Sequence, residues 1–255
     1  MNPKQNISET LEKGLRILDL FSRDESSFSL NEITQRIGIN KTSTYRFLNT
    51  LCYMGYLQKD KQSRIYKLGP RTIPLAHAFL QKAEVVQAVK PLVDEAHKQY
   101  DLHIDVGVCH GDAVYLAYRR ESKDTLAFAH FTIGPEMHCL ATGKAVLAHM
   151  DDSELNALLK RIHLKPKTIN TITDKKILLK ELKQASQCGY ARSREEFLPG
   201  LIAIGAPLFN LHQNKVIGGI SFDCTTAQYT IEQFEEKFAA LLIGLAKKLS
   251  AVITS

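Results

Sequence analysis

The chain has no tryptophan, no CxxC pair and no long apolar run. Its five cysteines, Cys52, Cys109, Cys139, Cys188 and Cys224, are scattered and odd in number. Such usage fits a reducing, cytoplasmic setting in which most thiols serve as small apolar side chains. No apolar stretch approaches the ~20 residues that span a bilayer, so no membrane partner is expected. The first residues, Met1–Asn6, lack the apolar core of a signal peptide and read as a tail. Internal repeats and low-complexity segments are also missing.

What is present is a globular composition, 44% hydrophobic and 24% charged, over 255 residues, a comfortable length for two domains. The formal net charge is +6. The first seventy residues hold eleven basic and seven acidic side chains, so most of the excess lies there. A local positive excess attracts a polyanion through counterion release and carries no sequence preference by itself.

The segment Leu30–Leu48 is the most informative. Leu30, Ile33 and Ile37 form one apolar stripe at helical spacing. Gly38 ends that helix and Asn40 caps the next. The second helix opens with Lys41, Thr42, Ser43, Thr44, Tyr45 and Arg46, then turns apolar at Phe47, Leu48 and Leu51. Two ordinary amphipathic helices would read the same way. The residues after Gly55 favour a helix-turn-helix: Tyr56–Lys59 and Ile65–Leu68 read as a hairpin, with Lys59, Lys61, Arg64 and Lys67 placed for flanking phosphates. Candidate DNA-binding residues are therefore Asn40, Lys41, Thr42, Ser43, Thr44, Tyr45, Arg46, Lys59, Lys61 and Arg64.

Before this pair, Ser8 caps a helix with stripes Leu11, Leu15, Leu18 and Ile17, Leu20, Phe21. After Gly69-Pro70, a linker helix over residues 71–84 carries Leu75, Ala78, Phe79 and Lys82 at helical spacing, and its apolar side is expected to meet a second copy of the chain. Residues 85–255 form the second domain. Helices are expected at Val86–Tyr100, Ala141–His149, Asp152–Arg161, Asp174–Cys188 and from Ile231 to about Val252. Strands are expected at His103–Cys109, Ala113–Tyr118, Ile202–Phe209 and Val216–Phe222, with another near Leu126–Phe131. Tight turns between neighbouring strands make this an antiparallel α+β domain.

These pieces in this order resemble the IclR family of bacterial transcriptional regulators across nearly the whole chain. The residues that carry the resemblance are Glu12–Leu18, Leu30–Ile33, Lys41–Leu51, Gly55-Tyr56, Tyr66–Gly69, His138–Ala145, Gly189–Glu196, Gly200–Pro207 and Gly219–Phe222. The resemblance implies a winged helix-turn-helix over residues 1–70, a linker helix, and a GAF-like effector domain. It implies homodimers or dimers of dimers on palindromic double-stranded DNA operators of catabolic genes, repression more often than activation, and a small organic acid or aromatic effector. It places that effector on one sheet face, among His138, Cys139, Leu140, Ala141, Thr142, Ser193, Ala203, Ser221 and Asp223.

The start of the helix at Ala141 offers backbone N–H groups to a carboxylate, although Ala141–Ala145 would also suit simple helix-on-sheet packing. Family members that bind very small keto acids carry an acidic residue, a cysteine and a serine where this chain has Ser193, Ala203 and Asp223. The exchange implies a larger pocket and an acceptor suited to hydroxyl or ammonium groups. Asp223 is equally suited to capping a turn before Thr225-Thr226.

Other motifs lead away from catalysis. Ala141–Ala145 imitates the end of a phosphate-binding loop, but His138 stands at the required glycine and Ala145 at the magnesium-binding hydroxyl. His138-Cys139 lacks a third catalytic partner. Cys109-His110 and His103-Ile104-Asp105 offer metal ligands without the three or four converging groups that zinc needs, so neither metal nor cofactor is expected. Arg119-Arg120-Glu121 reads as a solvated strand end. An enzyme is thus the weaker alternative. A protein-interaction module would leave the donors of Lys41–Arg46 without purpose.

Overall fold

The structure, a computed structural model, describes residues 7–21, 26–123 and 136–253. The expected strand at Leu126–Phe131 lies outside the described residues. The chain divides into two compact units, Met1–Leu80 and Gln81–Ser255.

In the first unit, helix α1 (Glu9–Leu20) begins at Ser8, whose Oγ accepts from the Leu11 N–H at 3.4 Å. Strand β1 (Ser27–Phe28) precedes α2 (Leu30–Ile37), which a reciprocal box opens: Ser29 N–H donates to Glu32 Oε2 at 2.7 Å and Glu32 N–H to Ser29 Oγ at 3.3 Å. Gly38 ends α2 in the left-handed region at φ 74°, where a side chain would be strained. Asn40 Oδ1 then caps α3 (Lys41–Tyr53) by accepting from Ser43 N–H at 2.8 Å. Strands β2 (Leu57–Lys59) and β3 (Tyr66–Leu68) form the hairpin, and β1 adds to it in the order β1-β3-β2. The two-residue β1 was not foreseen, because its pairing partner lies in the distant hairpin.

The core of this unit is Ile17, Phe21, Phe28, Ile33, Ile37, Leu48, Leu57 and Tyr66. Burying each such side chain stabilises the fold by roughly 1.5–3 kcal/mol. Of the two α1 stripes, the one bearing Ile17 and Phe21 packs inward, while Leu11 and Leu15 remain 63% and 52% exposed. Helix α4 (Thr72–Lys82) buries nothing, and Ile73, Leu75 and Phe79 are exposed.

The second unit opens with α5 (Glu84–Tyr100). Strands β4 (His103–His110) and β5 (Ala113–Arg120) follow, then α6 (Ala141–Leu147), α7 (Asp152–Arg161) and α8 (Lys175–Cys188). Strands β6 (Ala191–Arg194), β7 (Leu201–Asn210) and β8 (Lys215–Thr225) and helix α9 (Ile231–Val252) complete it. The sheet is antiparallel in the order β5-β4-β8-β7-β6. Side chains alternate between its faces. Ile104, Val106, Ile202, Ile204, Ala206, Ile220 and Phe222 join Val89 and Val93 of α5 and Phe234, Phe238 and Leu242 of α9 in one core. Val114 and Val216 join α6, α7 and α8 in a second. The result is helix, sheet and helix layers, with the alternate positions His103, Asp105, Ala203, Gly205, Ser221 and Asp223 turned away from the α5–α9 layer.

Candidate functional site

Two regions bring chemistry-bearing residues together. The first is the outer face of α3. Lys41, Thr42, Tyr45, Arg46 and Asn49 are exposed along it at helical spacing, and Ser43 is half-buried. Thr44 is not on this face. It is completely buried, with Oγ1 donating to the Asn40 carbonyl at 3.1 Å, which corrects its place among the DNA-contacting residues. The physical reason is periodicity: Thr44 lies one turn before Leu48 on the core stripe. Asn49 shares the outer face, beyond the cluster of donors at the helix start. Asn40 is exposed, but its oxygen is committed to the cap.

The hairpin is held against this helix. The Lys59 ammonium lies 5.8 Å from the Tyr45 ring centroid and 5.3 Å from that of Tyr66, a cation–π arrangement joining β2 to α3. Asp60 organises the loop by accepting from Gln62 N–H at 2.9 Å and from Ser63 N–H and Oγ at 2.6 and 2.8 Å. These bonds, Ser63's first, hold its carboxyl below the usual range. Lys61, Arg64 and Lys67 are left exposed around this loop.

The second region is the sheet face away from α5 and α9. Strand register lays its residues out in two rows. One runs Arg119, Asp105, Ser221, Gly205, Ala191; the other runs His103, Asp223, Ala203, Ser193. The segment before α6 crosses this face. Ser193 Oγ donates to the Cys139 carbonyl at 2.7 Å, so the hydroxyl anchors that segment. A Cβ on Gly205 would come within 2.4 Å of the Ala141 carbonyl carbon, so only glycine lets α6 sit this close. Leu140 caps α6 without a side-chain hydrogen bond. At seven residues α6 is short. The polar side chains of the sheet therefore bear more of the site's character than the helix terminus does.

Asp105 receives Arg119 Nε and Nη2, both at 2.6 Å, on separate oxygens. His103 Nε2 lies 3.4 Å from Asp105 Oδ1. Ser221 Oγ donates to Asp223 Oδ2 at 2.8 Å. Burial pushes the Asp223 carboxyl up to about 7, and the neighbouring negative Asp105 adds to it. Burial would lower His103, but Asp105 and Asp223 outweigh it and raise the imidazole above its ordinary value. Asp105 stays below the carboxylate range because bonds from His103 and Arg119 overcome its burial. Asp223 does not cap the turn after it; Gln228 Oε1 accepts the Thr225 N–H at 3.0 Å.

Other residues of this domain have local duties. His138 is buried, its Nε2 3.1 Å from the Lys165 carbonyl, and burial lowers its pKa. Cys139 is buried and its thiol is pushed up to about 12 by burial, far from a reactive thiolate. Lys144 is 1% exposed, with Nζ 2.5 Å from Glu196 Oε1 and 3.1 Å from the Arg192 carbonyl, and this ties α6 to β6 and its following loop. Arg119 and Arg120 are not a solvated strand end. Arg119 pairs with Asp105, and Arg120 Nε donates to Asp94 at 2.6 Å. Sequence spacing could not show this, because both acceptors lie on other elements.

Family models match two stretches of the chain. Residues 10–61 match the IclR helix-turn-helix domain, and residues 77–251 match the bacterial transcriptional regulator IclR C-terminal domain. The chain belongs to the IclR family. One IclR-family relative is the HTH-type transcriptional regulator BhcR of Paracoccus denitrificans, 32% identical over 94% of this chain and 85% of that protein. Among solved IclR-family structures, the regulator from Alicyclobacillus acidocaldarius is 29% identical, with TM-score 0.77, covering 98% of this chain and 100% of that one. An IclR homologue from Microbacterium hydrocarbonoxydans, solved with 4-hydroxybenzoate, shares the fold at TM-score 0.66 and 20% identity over 95% of this chain and 100% of that one. IclR-family relatives are DNA-binding transcriptional regulators and not enzymes. Among the described residues, no helix is long and apolar enough to cross a membrane.

Proposed function

We propose that this protein is a ligand-responsive repressor of a catabolic operon. Lys41, Thr42, Ser43, Tyr45, Arg46 and Asn49 read an operator's major groove, while Lys59, Lys61 and Arg64 hold flanking phosphates. The observation that carries this reading is the outer face of α3, where long donors stand exposed beside an exposed basic hairpin. Repression is the commoner behaviour in the family. The exposed apolar side chains Leu11 and Leu15 of α1 and Ile73, Leu75 and Phe79 of α4 support a homodimer or a dimer of dimers, matching palindromic half-sites.

The effector is a small organic acid larger than a three-carbon keto acid and bearing a hydroxyl. Ala203 leaves room on the sheet face, and Asp223 offers an acceptor there. The acid's own carboxylate meets the segment Leu140–Thr142. The homologue solved with 4-hydroxybenzoate supports this class, since that ligand is a hydroxylated aromatic acid. Coupling to DNA requires that the acid favour one arrangement of the dimer over another. A thermal-shift screen of organic acids on the full-length protein tests the effector: hydroxylated acids raise the melting temperature, because a true ligand binds only the folded state. Stabilisation by glyoxylate or pyruvate alone would overturn it.

A further inference from the structure

His103 and Asp105 stand two residues apart on one face of β4, and register places Asp223 of β8 directly opposite His103. One ligand atom from each of the three lies within 4.8 Å of the other two. We propose that His103, Asp105 and Asp223 bind a first-row divalent cation on the sheet face.

Several observations support the site. His103 is 2% exposed, and its Nδ1 has no hydrogen-bond partner among the described residues. Its Nε2 is turned to Asp105 at 3.4 Å, so the ring offers that nitrogen to a cation held between the imidazole and the carboxylates. Both carboxylates are already oriented from behind, Asp105 by Arg119 and Asp223 by the Ser221 hydroxyl. Such outer partners are what fix metal-binding carboxylates in place. Arg119 does not exhaust Asp105, because an ionised carboxylate has about four acceptor positions and the guanidinium takes two.

The ligand set, one imidazole and two carboxylates with no thiolate, suits Zn2+, Mn2+ or Fe2+ rather than a soft monovalent copper ion. Three protein ligands leave a coordination position for water or for an acid. The site stands on its own geometry and does not depend on the effector reading.

Zinc itself is the probe. Full-length protein stripped with chelator is titrated with Zn2+ against a chromophoric competitor. One ion per chain is expected, bound about 100-fold more weakly by Asp223→Asn, which keeps the side chain's size. Cobalt in the same site should give weak visible bands without the intense near-ultraviolet thiolate band, which separates it from the cysteines. Circular dichroism checks that the variant folds; His103→Gln, read in the same titration, decides if it does not. Absence of one-per-chain binding in the wild type, or equal affinity in a folded variant, overturns the proposal. An acid screen run free of metal would be unaffected by that failure.

Discussion

Asp223 faces His103 across one strand pair and Ala203 across the next, so a single carboxylate lies at the centre of the second row on the sheet face. In the proposed effector site, its position sets which acids fit. Asp223→Ser removes the carboxyl and leaves a hydroxyl. The variant should gain stabilisation from pyruvate and lose it from hydroxylated acids, read as paired thermal shifts on the full-length protein. An unchanged ranking of acids would place the effector elsewhere.

Lys144 and Glu196 form a buried pair, and each depends on the other. Burial raises the Glu196 carboxyl while Lys144 pulls it back. Lys144→Met strands that carboxylate and should cost about 3 kcal/mol in urea unfolding of the second unit's transition. The double variant Lys144→Met/Glu196→Leu should recover most of the loss, because no charge is then left buried. Equal losses in the single and double variants would mean that packing, not the pair, matters there.

Asp94 gives a pH signature. It accepts from Tyr118 Oη at 2.5 Å and Arg120 Nε at 2.6 Å, joining α5 to β5. Burial would raise its carboxyl, but the bonds from Arg120 and Tyr118 outweigh it and hold it below its ordinary value. A depressed carboxylate stabilises the fold above its unfolded pKa of about 3.9, and that stability is lost as pH falls through the folded value. Asp94→Asn should cost about 1 kcal/mol at neutral pH, a modest figure because the pair is partly exposed. The difference from wild type should vanish in acid. Constant separation of the two unfolding curves down to low pH would contradict it.

Thr44 distinguishes a structural residue from a reading one. Thr44→Ala removes a buried hydroxyl and its bond to Asn40, so the melting temperature should drop slightly while operator affinity, measured well below that temperature, stays the same. A loss of affinity comparable with that of Arg46→Ala would return Thr44 to the contact surface.

Much of this was legible in the chain. Gly38, Asn40 and the stripe Leu30, Ile33, Ile37 announce the helix pair because their signals are local. The strands Ile202–Phe209 and Val216–Phe222 show as apolar runs because most of their residues are buried, and His103–Cys109 shows by its alternation. Thr44 misled because a short hydroxyl at a helix start serves either a core or a groove. The α1 stripes could not be ranked, since either could face inward. The row His103, Asp223, Ala203, Ser193 was invisible as a unit. Strand order, not spacing, brings it together, and the same holds for Arg119 with Asp105 and Arg120 with Asp94.

The central claim is that α3 and its hairpin grip DNA. Its most direct test is retention of a labelled duplex carrying the upstream region of the protein's own gene, across a salt series. Wild type should retain the duplex at low salt. Arg46→Ala should weaken binding by roughly 1–3 kcal/mol, and Lys61→Ala should reduce the salt slope by about one. Failure of the wild type to retain that duplex at low salt, or identical salt curves for all three proteins, would contradict it.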